Sequence, residues 1–135
     1  MELIGFPNVT EAIAAKFQAF AADQHDIELP VGDRTPDPRP AEFIRLWETG
    51  GDRRNIVVDR PTLTVETYAD RNSRAWELSN LFRAWLYAQQ GEDLTPGCPI
   101  HYVSEYARPA SLPHPDTSQS RYTATYSVDV RGDAL

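Results

Sequence analysis

Six stretches of this chain show a regular apolar periodicity, two at helical spacing and four at strand spacing. Asn8 opens an N-x-x-E capping box with Glu11, which predicts a helix start there. Val9, Ile13, Phe17, Phe20 and Ala21 then share one face at helical spacing, placing the helix over residues 9 to 23. Ile27 and Leu29 fit a short extended piece. The following Pro30, Gly32, Pro36, Pro38 and Pro40 suit neither a helix interior nor a central strand, so residues 30 to 40 are expected to form a loop. Glu42 to Glu48 reads as a strand, and Thr49-Gly50-Gly51-Asp52 as the hairpin turn that ends it. The return strand starts at Asn55-Ile56-Val57-Val58 and breaks at Asp59-Arg60-Pro61. It resumes with Leu63, Val65 and Thr67 alternating against Thr62, Thr64 and Glu66, one face buried and the other polar.

Asp70 is the expected N-cap of a second helix, whose stripe is Ala75, Leu78, Leu81, Phe82, Trp85 and Ala88 and whose stop is Gly91. Thr95-Pro96-Gly97-Cys98-Pro99 reads as a turn before a short strand, Ile100 to Tyr106, and a second polar loop follows from Arg108 to Ser120. The last strand has the clearest pattern, with Tyr122, Ala124, Tyr126, Val128 and Val130 alternating against Thr123, Thr125, Ser127, Asp129 and Arg131. The order α-β-β-α-β-β predicts an α+β fold: a mainly antiparallel sheet of about four to five strands with two α-helices packed on one face.

A length of 135 residues, 41% apolar and 24% charged, is that of one soluble domain spanning residues 1–135. No stretch approaches membrane-spanning length, and the opening Met-Glu-Leu-Ile-Gly-Phe-Pro lacks the basic and apolar segments of an export signal, so a cytoplasmic product is expected. The net charge of −7, with no basic stripe visible along the chain, speaks against stable nucleic-acid binding. Lys16 is the only lysine among 13 basic residues, the rest being arginine, which is favoured at interfaces for its planar, multi-donor fork. A single cysteine, Cys98, leaves no internal disulfide and fits a reducing compartment.

Little in the chain points to catalysis. Cys98 and His101 make a C-x-x-H pair that His25 and His114 would have to complete as a zinc site, but no second cysteine is present, and an ordinary turn cysteine is expected. Glu42, Glu48, Asp59 and Glu66 can approach one another across strands, yet carboxylates are abundant here and read as solvated strand faces. No catalytic, cofactor-binding or metal-binding residue is assigned. Trp47, Trp76 and Trp85 read as packing residues, with Trp76 at the margin of its helix stripe and so a candidate subunit contact.

The assembled pattern resembles the tail terminator (tail completion) proteins of long-tailed bacteriophages, particularly those infecting actinobacteria. The resemblance covers most of the chain. It runs from the N-terminal helix through Pro36-Asp37-Pro38-Arg39-Pro40, Phe43-Ile44-Arg45-Leu46 and Gly50-Gly51 to Val57-Val58-Asp59-Arg60 and Leu63-Thr64-Val65-Glu66-Thr67-Tyr68-Ala69. It closes on the second helix, on Leu112-Pro113-His114-Pro115-Asp116, and on the strand from Arg121 to Gly132. Trp47, Thr67 and Tyr68 depart from a typical member.

The resemblance implies a virion protein assembled in the host cytoplasm, forming a hexameric ring that caps the head-proximal end of the tail tube. That ring ends tube polymerisation and offers a docking surface to the head-side connector or stopper protein, while genomic DNA passes through its lumen without specific binding. An acidic lumen suits that passage. A closed ring uses two unlike patches, and the proline-bearing stretches 34 to 40 and 108 to 120 are the first candidates. The expected subunit or tube contacts are Arg39, Arg45, Trp47, Arg60, Trp76, Arg108 and His114. The competing readings are another ring of the phage neck, a head-closure or adaptor protein, and a small cytoplasmic enzyme.

Overall fold

A computed structural model describes residues 1–135. In chain order the elements are β1 (Ile4–Gly5), α1 (Val9–His25), β2 (Val31–Gly32), β3 (Phe43–Arg53), β4 (Val58–Ala69), α2 (Asn72–Ala88), β5 (Asp93–Thr95), β6 (Cys98–Ser111), β7 (Ser120–Arg131) and β8 (Asp133–Ala134). The fold is α+β, as expected, but the main sheet has six strands in the order β2-β3-β4-β7-β6-β5, and β1 pairs with β8 in a separate ribbon. All pairings are antiparallel except β2 with β3. The four short strands escape periodicity because two or three residues carry no pattern. No helix is long and apolar enough to cross a membrane.

The Asn8 cap is formed as expected, its side-chain oxygen accepting from the Glu11 amide at 3.3 Å while its side-chain amide donates to the Glu11 carboxylate at 3.2 Å. At the other end Asp26 takes the left-handed conformation, φ 53°, and the Ile27 amide donates to the Ala21 carbonyl at 3.0 Å, so α1 runs two residues past residue 23. Asp70 does not cap α2. The helix starts one residue later than expected: its N-cap is Arg71, without a side-chain bond, and Asp70 Oδ1 lies 3.3 Å from Gln119 Nε2.

Both helices lie on one face of the sheet and share one core with it. Phe17 of α1 meets Phe82 and Trp85 of α2 edge-on at 5.0 and 5.3 Å, and the same cluster takes in Ile44, Leu46, Leu63, Val65, Val103, Ala124, Tyr126, Val128 and Val130 from the strands. Burying one such aromatic side chain stabilises by about 1.5–3 kcal/mol, and each edge-to-face pair adds about 0.5–1.5 kcal/mol. The expected faces of α1, α2 and β7 are therefore the ones turned to the core, with one correction: Ala88, expected on the α2 stripe, is exposed at the helix end, and Leu86 is buried instead.

The β3–β4 hairpin corrects the sequence reading most clearly. Gly50-Gly51 is not its turn. β3 continues through both glycines to Arg53, with a bulge between Glu48 and Gly50, and the chain reverses over residues 54 to 57. There the Asn55 side chain accepts from the amides of Val57 and Val58, both at 2.9 Å, closing a turn no glycine is needed for. The glycines serve the bulge instead. Their φ values are +128° and +111°, and a Cβ on Gly51 would stand 2.1 Å from the Arg60 carbonyl oxygen. β4 likewise runs unbroken through Asp59-Arg60-Pro61, although its ladder with β7 lapses at Arg60 and Pro61 before resuming in register.

Two loops are shorter than expected. Val31–Gly32 forms an edge strand, and β6 reaches Ser111, with three register shifts and Pro109 accommodated near its end, so the second loop spans only residues 112 to 119.

Gly51→Ala is expected to destabilise the protein by at least about 1 kcal/mol more than Gly50→Ala, because both force a side chain into positive φ but only Gly51 also meets backbone. Urea denaturation of the two variants measures the difference. Tyr126 is fully buried with its hydroxyl unpaired, and burial, then the Glu105 charge, pushes its pKa well up. Tyr126→Phe is expected to leave stability at neutral pH unchanged or raise it by about 1 kcal/mol. The folded chain keeps this proton while the unfolded chain releases it near pH about 10, so the tyrosine's contribution is complete below that pH and is lost above it. Tyr126→Phe should therefore flatten the fall in stability above pH about 10, read from denaturation curves on both sides of that value.

Candidate functional site

The sheet face turned away from the helices is where the chemistry-bearing side chains gather. Period-two alternation puts Phe43, Tyr68 and Arg121 in one cross-strand row, Arg45, Glu66 and Thr123 in the next, and Trp47, Thr64 and Thr125 in a third. Sequence alternation marked this face as polar and solvated. Two of its carboxylates, Glu66 and Asp129, are in fact buried.

Each sits between two arginines. Arg121 Nη1 donates to Glu66 Oε2 at 2.7 Å, while Glu66 Oε1 accepts from the Tyr68 hydroxyl at 3.1 Å and from Arg45 Nη1 at 3.5 Å. Asp129 Oδ2 accepts from Arg54 Nη1 at 2.7 Å, and its Oδ1 accepts from Arg60 Nε at 2.9 Å. The hydrogen bond and then the charge of Asp129 hold the Arg60 guanidinium more firmly protonated. Burial raises the Tyr68 phenol most, against the opposing hydrogen bond of Arg121. Above the lattice, the Arg45 guanidinium lies 4.3 Å from the Trp47 ring centroid, and Arg39 lies 5.1 and 5.0 Å from the stacked rings of Phe43 and Tyr68.

Gln119 ties this face to both proline-bearing loops. Its Nε2 donates to the carbonyls of Pro40 and Ala41 at 2.9 and 3.0 Å, and its Oε1 accepts from Arg39 Nε at 2.5 Å. The two stretches expected as separate patches thus converge at one end of the sheet, where β3 and β7 begin and β4 and β6 finish.

Of the expected contact residues, Arg39, Arg45, Trp47 and Arg60 are brought together on the open face, and His114 lies in the loop at its end, its Nδ1 accepting from the Asp116 amide at 3.0 Å. Trp76 and Arg108 lie elsewhere, exposed on α2 and β6. Arg54, Arg121, Glu66, Asp129 and Gln119 complete the arrangement, and no local signal separates them from other polar residues. Arginines far apart along the chain, Arg39, Arg45, Arg54, Arg60 and Arg121, share a face with Glu66, Asp129 and Asp52, and four of the five are paired with Glu66 or Asp129. Glu42 is engaged separately by Arg74, through Nε at 2.9 Å and Nη2 at 3.0 Å. Cys98 is buried in the core while His101 is exposed, and no group of three His, Cys, Asp or Glu stands close enough to hold a metal ion.

Glu66→Gln is expected to cost about 3–5 kcal/mol, because it leaves Arg121, whose side chain is only 12% exposed, without its counter-charge. Asp129→Asn is expected to cost less, since Arg54 and Arg60 are 55% and 36% exposed and regain water. Urea unfolding of both variants compares them; equal costs would show that access to water does not govern the difference.

No protein-family model matches the chain, and no curated protein matches it, so its function is read from its own residues and geometry.

Proposed function

We propose that this chain is the protomer of a ring that caps the head-proximal end of a phage tail tube, ends tube growth and docks the head-side connector. The observation that carries the reading is the meeting of residues 39–41 with Gln119, which makes a braced surface from two loops at one end of the sheet. Loops braced against each other before contact lose little entropy when a partner covers them, which suits an axial contact with a tube or connector.

The open face supports a structural role for the same reason. An acid–base pair in catalysis needs carboxylates in unequal environments with a lone pair or proton free, whereas Glu66 and Asp129 both spend their oxygens on arginine. The arginine excess also bears on orientation. A lumen that passes DNA without retaining it is lined by like charge, so this face turns toward protein and the acidic remainder of the chain toward DNA.

Size-exclusion chromatography with light scattering, on the chain alone and with tail-tube protein, tests the proposal. A ring-sized species, or a single chain that becomes a ring on tubes and limits their length, is the expected result. A species that assembles but binds a portal complex in preference to tubes would move the chain to another neck ring, and a single chain that ignores tubes would overturn the reading.

A further inference from the structure

The two lateral margins of the sheet differ in kind. On one side no strand lies outside β6 from Ser104 to Ser111, and of the large apolar side chains exposed away from the termini and the β3–β4 turn, all but Leu112 of the strand-end loop belong to this margin. They are Tyr102, 56% exposed, Tyr106, 85%, and Trp76, 49%. Trp76 belongs here because Asn72 and Arg83, on the same helical face, touch β6 at Ser111, 3.2 Å, and at Glu105, 2.9 Å. A row of exposed aromatic side chains on a margin is the usual anchor of a protein contact.

On the other side a groove of about 660 Å³ runs between α1 and the edge formed by β2 and β3. Ala15, Ala19, Val31 and Leu46 line it, and Glu11 and Asp33 stand at its rim. That volume is in the range that accepts bulky groups. Charges complement across the two margins: Arg71 and Arg108 beside the aromatic row have no ion-pair partner, nor do Glu11 and Asp33 at the groove.

We propose that copies of this chain join head to tail, the Trp76–Tyr106 margin of one seated in the α1–β2 groove of the next. The inference deepens the ring reading and rests on it. Two unlike patches on opposite margins cannot satisfy each other in a two-fold dimer, so each copy added in the same orientation leaves one of each exposed until a ring closes. The join is made by side chains. Three register shifts and Pro109 interrupt β6, and the Gly50 bulge interrupts β3, so neither edge offers the regular backbone row a strand-to-strand zipper needs.

Two variants test this. Trp76→Glu with Tyr106→Glu removes the aromatic row, and Ala19→Arg, at an exposed helical position, fills the groove and repels Arg108. Under conditions where the unsubstituted chain assembles, light scattering should find each variant as single chains. Their equimolar mixture should give a two-chain species that grows no further, because only one good margin of each kind remains. Cooperative thermal unfolding shows that each variant is folded. As a second readout, Tyr106→Cys and Ala15→Cys chains, mildly oxidised, should form a disulfide when mixed and not separately. Variants that assemble like the unsubstituted chain, or folded variants whose mixture stays single-chain, would overturn these margins and leave the ring standing. An unsubstituted chain that stays single alone and with tail tubes would overturn the ring and this contact together.

Discussion

A six-stranded sheet with both helices on one side has to hold its other side in place without a second core. The lattice of arginine and carboxylate across β3, β4 and β7 does this. Glu66 links Arg45 of β3 to Arg121 of β7 through the central strand, and Asp129 draws in Arg60 of β4 and Arg54 of the turn. Buried carboxylates are costly unless every oxygen is occupied, and here each is. The same arrangement that fixes the sheet leaves the guanidinium groups of Arg45, Arg54 and Arg60 partly exposed on that face.

The molecule separates its surfaces by direction. Strand ends carry the braced loops joined by Gln119, the uncovered face carries arginine, and the two lateral margins carry an aromatic row and a groove. In the proposed ring these become axial, facial and lateral contacts, each with its own chemistry.

Local chemistry decided the hairpin in a way composition does not reveal. Two adjacent glycines are a strong turn signal, but a reversal can also be closed by an asparagine side chain bonding the amides two and three residues on, as Asn55 does. With the turn made there, the glycines were left to absorb a bulge where β3 passes the Arg60 carbonyl within a distance no side chain tolerates. Asp70, a good cap in isolation, falls one residue short of the helix start and faces Gln119 from a loop 49 positions away.

The amphipathic elements were legible in the sequence because each needs only its own spacing. The capping box at Asn8, the buried stripes of both helices and the alternation of β7 follow from periods of 3.6 and 2 that the chain carries within a few turns. The gathering of five arginines on one face, the burial of Glu66 and Asp129, and the meeting of the two proline-bearing stretches depend on residues far apart in the chain. Only the tertiary structure decided them, since cross-strand register chooses which distant side chains share a row, and Arg45, Glu66 and Arg121 become neighbours through three strands that no local period connects.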